Sequence, residues 1–384
     1  MSEYSLHFSS QRDSNDSQYR LMELPKELVH LIENETQDQL SAPQVHRFAK
    51  LTRPRFTIRG RDDDDAVLCT ADKTYNIRAV MVSNSFCVLT PPNGDELGDA
   101  VIRATIDHIL ELSPSIAKLH RLRGMLRGCE YDEDYDYRED RERRMLKDVK
   151  LELQASDAEL EDGLRDMRVL VLNGELRPMT PGYLNRVLEL ILNTLVSLSR
   201  SSDDAPVLNI VETIQSDHEI SSDVSRQIMS WFGRIDSSLS AETWIMDVDA
   251  VVRQIGIVIL SAYRSSPIEQ SEFMMRWRAT VGDSFEDRIS LSLLQGNYIL
   301  TGQSATLNLA LSYFPSSELP ISPADRFTEL FLVQPKWKAA DIIPFLDDIV
   351  VDGKDRDKLL MKFARSITDK DGVTYYTSRG GTIA

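Results

Sequence analysis

The stretch Ser322-Pro323-Ala324-Asp325 begins a segment whose pattern predicts three helices followed by a strand. A hydroxyl residue, a proline and an acid in this order are typical of a helix N-terminus. Apolar spacing predicts two further helices, at 339–345 and 355–365, and Asp371-Gly372 predicts a turn before a strand at 373–376. Three helices followed by a β-ribbon are the order of a winged helix, so this segment decides the fold class.

The same order of predicted elements occurs twice before this segment. The first copy has predicted helices at 183–199, 207–215 and 222–232 and a strand at 243–246, and the second has helices at 249–263, 268–279 and 285–294 and a strand at 297–301. We therefore predict an α+β multidomain chain that ends in three tandem winged-helix domains. The predicted bounds of these domains, the first of which includes a preceding shoulder, are 156–246, 247–320 and 321–384.

The predicted third helix of the last copy is basic. Lys358, Lys362 and Arg365 recur at helical spacing, which predicts one shared face, and Arg379 ends the strand that follows. A winged helix lays its third helix on nucleic acid, so these four residues are the predicted DNA contacts. The alternative is a solvated helix face, which is what a charged helix face usually is.

The third helices of the two earlier copies lack this charge. Acidic residues precede the predicted helix at 285–294 and occupy its first turn, whereas the predicted helix at 222–232 ends in apolar residues. Because acidic side chains repel phosphate, we expect these two copies to contact protein. Three tryptophans in these copies are predicted to belong to ordinary cores: Trp231, Trp244 and Trp277.

Net charge limits where nucleic acid could bind. The chain of 384 residues carries 44 basic and 61 acidic residues, a formal charge of −17, which argues against a protein that coats nucleic acid over its whole surface. Residues 321–384 hold ten basic and ten acidic residues and are therefore neutral. We expect any nucleic-acid contact to be local and C-terminal.

The first third of the chain has a strand pattern. Residues 1–20 are polar and serine-rich, which predicts a disordered tail, and 21–128 are predicted to form a β-barrel-like domain or a small sandwich. Its predicted elements are a helix at 24–34, strands at 56–58, 66–68, 75–82, 86–89 and 106–112, and a helix at 114–126. The unpaired edges of a partly open barrel accept a strand from a partner. Candidate partner-binding residues are Val67, Tyr75, Ile77 and Val88.

A charged linker is predicted at 129–155, because its density of charge cannot bury a core. Beyond it, Ser156 and Glu159 have the spacing of a capping box, and Asn173-Gly174 precedes another predicted strand.

Few residues indicate chemistry. Three cysteines, Cys69, Cys87 and Cys129, are too few for a disulfide framework or a zinc site, and the first two lie in apolar runs that predict buried thiols. Asp132, Asp134 and Asp136 imitate a calcium loop, but its glycine position holds a tyrosine. No catalytic motif is present in the sequence, so we expect no enzyme, no metal and no cofactor. The lack of a long apolar run predicts a soluble, intracellular protein.

Residues at both ends of the chain resemble one known family. The N-terminal set comprises Leu24-Pro25 and residues 66–70, 74–78 and 83–85. The C-terminal set comprises Arg326-Phe327, Leu330-Phe331, Trp337, Asp341-Ile342, Pro344 and residues 359–362, 373–376 and 378–379. Together they resemble the DCC family of sister chromatid cohesion proteins, a subunit of the alternative, RFC-like clamp loader. The acidic turn at 62–65 and the linker at 130–144 depart from the family pattern.

The resemblance implies a non-catalytic nuclear subunit. In such proteins the N-terminal region forms a composite β-barrel with a small partner subunit and the loader's large subunit. The C-terminal winged helices reach the catalytic subunit of DNA polymerase epsilon and DNA, without sequence specificity and as single or double strand. The complex loads PCNA at replication forks and supports sister chromatid cohesion. Two other readings of the pattern are a winged-helix transcription regulator and a winged-helix scaffold of another complex.

Overall fold

A computed structural model describes residues 6–8, 19–41, 56–90, 100–132, 143–198, 205–237, 242–302 and 309–379. The fold is mixed α+β with several small sheets. The chain divides into two compact units, the first made of residues 1–124 and 147–163 and the second of 125–146 and 164–384. Most of the predicted tail and the middle of the predicted linker lie outside the described residues. Among those described, no helix is long and apolar enough to cross a membrane.

The first unit is built on an open sheet. Its strands are β1 (Leu6–Phe8), β2 (Leu21–Glu23), β3 (Thr57–Arg59), β4 (Val67–Cys69), β5 (Thr74–Thr90) and β6 (Ala100–Ser115). The strand order is β1-β6-β5-β4-β3, and β2 also pairs with β6. In the described part of the chain β3 pairs with β4 alone, so no barrel is closed. The predicted barrel-like domain is therefore corrected to an open sheet.

Strands β5 and β6 form one long hairpin of 17 and 16 residues, where the sequence predicted separate short strands. Between Met81 and Phe86 four residues of β5 lie opposite only Asp107 of β6, which is a large bulge. The helix predicted at 114–126 is shorter and covers Arg121–Met125, because β6 continues to Ser115 by pairing with Thr74. Strand β1 likewise contradicts a wholly disordered tail, since it pairs in parallel with β6.

Four helices accompany this sheet in the sequence: α1 (Lys26–Ser41), α2 (Arg121–Met125), α3 (Leu146–Glu152) and α4 (Asp157–Asp166). The capping box at the start of α4 is confirmed: the Ser156 N–H donates to Glu159 Oε2 at 2.8 Å, and the Glu159 N–H donates to Ser156 Oγ at 3.2 Å. Helix α3 lies within the stretch predicted as a charged linker, and its Val149 is buried.

The second unit begins with a hairpin and continues with three modules of similar order. The hairpin is β7 (Val169–Leu172) and β8 (Glu175–Pro178). The first module comprises α5 (Pro181–Ser197), β9 (Ala205–Pro206), α6 (Val207–His218), α7 (Ser222–Trp231), β10 (Gly233–Asp236) and β11 (Thr243–Met246). Its strand order is β10-β11-β9, so the short strand between the first two helices pairs with the last strand.

The second and third modules repeat this connectivity, with strand orders β12-β14-β13 and β15-β17-β16. The second comprises α8 (Val248–Ser261), β12 (Ile268–Glu269), α9 (Gln270–Val281), 3-10 turns at Asp283–Arg288 and Leu291–Leu294, β13 (Tyr298–Thr301) and β14 (Ala310–Tyr313). The third, after a 3-10 turn at Ser316–Glu318, comprises α10 (Pro323–Val333), β15 (Lys336–Lys338), α11 (Ala339–Ile342), 3-10 turns at Ile343–Phe345 and Asp347–Ile349, α12 (Gly353–Phe363), β16 (Ala364–Thr368) and β17 (Thr374–Ser378).

Three details of the predicted modules are wrong. The helix predicted at 285–294 is two 3-10 turns, because Phe285 departs from helical backbone angles and Ser290 is extended. The third helix of the last module ends at Phe363 instead of Arg365. Ser322 occupies the N-cap position of α10, but its side chain makes no capping hydrogen bond.

A buried tryptophan marks the core of each module. Trp244, Trp277 and Trp337 are at most 1% exposed, and each indole N–H donates to a backbone carbonyl, of Met229, Val252 and Leu330 respectively, at 2.8–3.0 Å. A buried indole N–H without a partner would be costly, so these bonds fix the position of each ring. The core prediction is confirmed for Trp244 and Trp277, while Trp231 is only partly buried.

Candidate nucleic-acid interface

Helix α12 presents the predicted basic face. Its first turn is capped by Asp352, whose Oδ1 accepts a hydrogen bond from the Asp355 N–H at 2.8 Å. Leu360 is buried against the core of the third module, whereas Lys358 and Lys362 are exposed. The Lys362 Nζ lies 5.0 Å from the centroid of the Phe363 ring. Amphipathic spacing thus directs both lysines of the predicted site to solvent.

The two predicted arginines lie on the hairpin beyond the helix. Arg365 is exposed in β16 opposite Thr377, so it does not continue the helical face that the sequence predicted. Arg379 follows β17, and its N–H donates to the Phe363 carbonyl at 3.2 Å. Its guanidinium also donates to the carbonyl of Met361. Both bonds hold Arg379 against the C-terminal end of α12, where the orphan carbonyls of a helix accept donors.

These four cations are not neutralised. Lys358, Lys362, Arg365 and Arg379 form no ion pair with any described residue. Arg365 and Arg379 line one cleft of about 480 Å3 between α12 and the hairpin. The other residues that line it are Asp357, Leu360, Met361, Ala364, Ser366 and Tyr376. The geometry therefore offers unpaired positive charge beside a partly apolar cleft.

The corresponding surface of the second module is different. Arg288 lies in its 3-10 turn and makes two hydrogen bonds to Asp249, at 2.9 and 2.7 Å. The Arg288 guanidinium holds the pKa of Asp249 below its ordinary value, mainly through this hydrogen bond. Arg278 pairs with Glu286 at 3.4 Å. Arg288 and Arg278 are thus matched by carboxylates, whereas Arg253 donates to the Leu293 carbonyl at 3.0 Å and has no ion pair with a described residue.

The first module has its third helix, α7, in contact with the β7–β8 hairpin. The Gln227 side chain accepts from the Val171 N–H at 2.8 Å and donates to the Val171 carbonyl at 3.1 Å. Arg226 pairs with Glu242 at 2.7 Å. Helix α7 is thus engaged within the protein.

The candidate partner-binding residues of the first unit differ in burial. Val67 and Tyr75 are about 1% exposed and belong to the core, whereas Ile77 and Val88 are half-buried. Sequence reasoning missed the large apolar side chains that the sheet leaves exposed. They include Leu6, Phe8, Leu21, Ile58, Met81, Phe86 and Leu89. One signal in the sequence could have indicated them: the apolar residues along β5 do not alternate strictly with polar ones, as they would in a strand with one buried face.

The cysteines and acids supply no further site among the described residues. Cys69 and Cys129 are buried, but Cys87 is exposed, contrary to the prediction from its apolar run. Burial raises the pKa of the Cys69 thiol, which keeps it protonated. No group of three His, Cys, Asp or Glu residues in the described ranges could hold a metal ion. Two aspartates of the calcium-like run, Asp134 and Asp136, lie outside those ranges.

Comparison with known proteins identifies the family. The model of a family described as "Sister chromatid cohesion protein Dcc1" matches residues 19–346. This chain belongs to the Dcc1 family. The match ends before α12, so the candidate interface lies beyond the part that the family model covers.

Full-length Dcc1 relatives extend the similarity to almost the whole chain. The sister chromatid cohesion protein DCC1 of Xenopus tropicalis is 27% identical over 97% of this chain and 92% of its own length. The probable sister chromatid cohesion protein DCC1 of Dictyostelium discoideum is 24% identical over 97% and 96%. The Saccharomyces cerevisiae DCC1 protein is 22% identical over 91% and 94%.

Proposed function

We propose that this chain acts in sister chromatid cohesion as a non-catalytic nuclear subunit of the alternative, RFC-like clamp loader that loads PCNA at replication forks. The observation that carries the cohesion role is membership of the Dcc1 family over residues 19–346. The clamp-loader assembly is the finer part of the proposal, and it assigns different tasks to the two units.

The first unit binds the small partner subunit and the large subunit of the loader. Its open sheet supports this assignment, because β3 has one unpaired edge within the described residues and can accept a partner strand. The exposed apolar side chains support it further, since Phe8, Met81 and Ile58 are each more than 60% exposed. These side chains lie on three different strands, β1, β5 and β3, and each offers apolar surface for a partner chain to cover. Partner strands would complete the composite barrel.

The second unit carries three winged helices that link the loader to the catalytic subunit of DNA polymerase epsilon and to DNA. The repeated helix–strand–helix–helix–hairpin order supports the winged-helix assignment. Paired cations in the first two modules favour protein contact, and unpaired Lys358, Lys362, Arg365 and Arg379 favour DNA phosphates in the third. Contacts to phosphates alone carry no sequence information, so binding is non-specific.

Affinity purification of the tagged chain from nuclear extract tests the assembly. The wild-type chain recovers clamp-loader subunits in fixed proportion. Met81→Asp with Phe86→Asp removes apolar contact from the sheet and loses those subunits. The matched control, Leu208→Asp with Met275→Asp, changes two residues of the second unit that are similarly exposed and retains them. Recovery of the chain alone, or with transcription machinery, would reject the clamp-loader role.

A further inference from the structure

The cleft between α12 and the β16–β17 hairpin has features that phosphate binding alone does not require. Its volume of about 480 Å3 lies within the range of roughly 300–1,000 Å3 that is typical of small-molecule sites. Leu360, Met361, Ala364 and Tyr376 supply apolar wall. Met361 is 65% exposed, although burial of a methionine side chain is favourable. A ligand that covers this wall must therefore have an apolar face.

The same cleft has a cation on each of two segments. Arg365 begins the hairpin and Arg379 ends it, and both line the cleft with no ion pair to a described residue. Arg379 uses part of its guanidinium to hold the Met361 carbonyl, which fixes its position beside the apolar wall. An uncharged apolar ligand would not neutralise these two charges, and a bare phosphate would not cover the apolar wall.

The charge distribution along α12 argues against insertion of its N-terminal end into a duplex groove. Asp352, Asp355 and Asp357 lie at the start of the helix and outnumber Lys354 and Arg356 there, whereas the second half holds Lys358 and Lys362 and no acid. Recognition helices usually contact base edges with their N-terminal residues. Here those residues would bring carboxylates against phosphates. Arg365 and Arg379 instead supply positive charge where α12 meets the hairpin, and Asp357, the one acid that lines the cleft, pairs with Arg356 at 3.5 Å.

We propose that this cleft accepts one unpaired nucleotide of a DNA single strand, with its base against Met361 and Tyr376 and its flanking phosphates on Arg365 and Arg379. This inference rests on the proposed DNA-binding role of the third module and specifies its ligand. A nucleotide has the required combination of a flat apolar base and a charged backbone. Positively charged grooves with apolar or aromatic platforms are the general solution for binding single strands without sequence preference.

The test is a thermodynamic cycle between the base and the cleft, measured by fluorescence anisotropy with the full-length chain at low salt. The probes are an oligothymidine, the same strand with central abasic sites, and a blunt duplex of equal length. Stacking against a protein platform changes affinity roughly 5- to 150-fold per base. The wild-type chain therefore binds the oligothymidine about tenfold more tightly than the abasic strand.

Met361→Ala removes apolar wall from an exposed position and reduces that ratio to less than about twofold. Tyr376→Leu, which keeps apolar volume but removes the aromatic ring, reduces the ratio as well. Its melting temperature is compared with that of the wild type, because Tyr376 also packs against the core. Met275→Ala, at a residue of the second module that is 63% exposed, is the matched control and keeps the wild-type ratio.

Two results overturn the inference in distinguishable ways. If the chain binds the abasic strand and the duplex as tightly as the oligothymidine, the proposed function stands and the base-binding cleft is rejected. The same conclusion follows if both cleft variants keep the wild-type ratio of affinities for the oligothymidine and the abasic strand. A side chain of a partner protein would then be the expected occupant of the cleft. If none of the three probes binds at low salt, DNA binding itself fails and the inference fails with it.

Discussion

The second and third modules share one connectivity but present opposite surfaces. In both, a buried tryptophan donates to a backbone carbonyl, and the short strand after the first helix pairs with the final hairpin. The segment before that hairpin in the second module is two 3-10 turns with one arginine, Arg288, which is paired with Asp249. In the third it is the helix α12, whose three lysines are free of ion pairs with described residues.

Buried and exposed residues therefore specify separate properties of a module. Apolar positions set the helix–strand order, and they tolerate a third segment that is either α-helical or 3-10. Charge pairing on the exposed side decides whether phosphate is attracted. The shared arrangement of core residues is therefore compatible with the proposal of a protein-binding module beside a DNA-binding one.

The strongest way to disturb the third module is to remove its buried arginine. Arg326 is fully buried, pairs with Asp348, and donates to the carbonyls of Leu319, Pro320 and Phe345. Removing Arg326 leaves the three carbonyls without this donor, and an unsatisfied buried group costs roughly 1–3 kcal/mol, so we expect roughly 3–5 kcal/mol for the network as a whole. We expect Arg326→Ala to lower the stability of the third module by about this amount, measured by hydrogen exchange of amides in 323–364 during urea titration. A loss below about 1 kcal/mol would contradict this assignment.

A smaller effect is expected from overpacking the second module. A Cβ at Gly256 would lie 2.6 Å from Trp277 Cζ2 and 3.1 Å from Leu294 Cδ2. Gly256→Ala therefore forces the buried ring to move and destabilises the module by roughly 1–3 kcal/mol. Gly182→Ala is the control, since nothing lies within 4 Å of its Cβ position. Equal melting temperatures for both variants would show that the Trp277 core yields easily.

The exposed arginine of the second module should matter much less than its buried counterpart in the third. The Arg288 and Asp249 side chains are 51% and 43% exposed, so water screens their attraction. Arg288→Ala is expected to cost about 0–1 kcal/mol, and the cost should shrink further in 1 M salt. Urea unfolding at low and high salt measures both values. A cost comparable to that of Arg326→Ala would erase the proposed distinction.

The smallest effect is a pH dependence of the same pair. The pKa of Asp249 is lowered in the folded protein, so its contribution to stability is present above the unfolded value of about 3.9 and is lost as pH falls through the folded value. Wild-type stability should therefore fall more steeply than that of Arg288→Ala on acidification below about pH 4. Parallel curves for the two proteins would show that the pair does not couple to folding.

Local signals in the sequence predicted much of the second unit. The strand at 243–246 matches β11, helix α5 (Pro181–Ser197) covers most of the helix predicted at 183–199, and the Ser156–Glu159 box forms. Short strands such as β9 and β12, of two residues each, were missed because they exist only through pairing with a distant hairpin strand. The length of the β5–β6 hairpin was missed for the same reason.

The site was predictable in composition but not in arrangement. Helical spacing placed Lys358 and Lys362 on the exposed side of α12, but the change from helix to strand after Phe363 moved Arg365 onto β16. Whether a cation is neutralised depends on contacts far apart in sequence, as with Arg288 and Asp249. The cleft itself requires α12 and β17 to meet, which no local pattern encodes.

The most direct test of the contrast is the salt dependence of DNA binding by the full-length chain after matched charge reversals. The first variant is Lys362→Glu with Arg365→Glu in the third module, and the second is Arg276→Glu with Arg278→Glu in the second module. Each phosphate contact contributes about 0.9 to the slope of log affinity against log salt for duplex DNA. We expect the first variant to lose salt-sensitive DNA binding and the second variant to keep it. Unchanged affinity of the first variant at low salt, or equal loss in both, would contradict it.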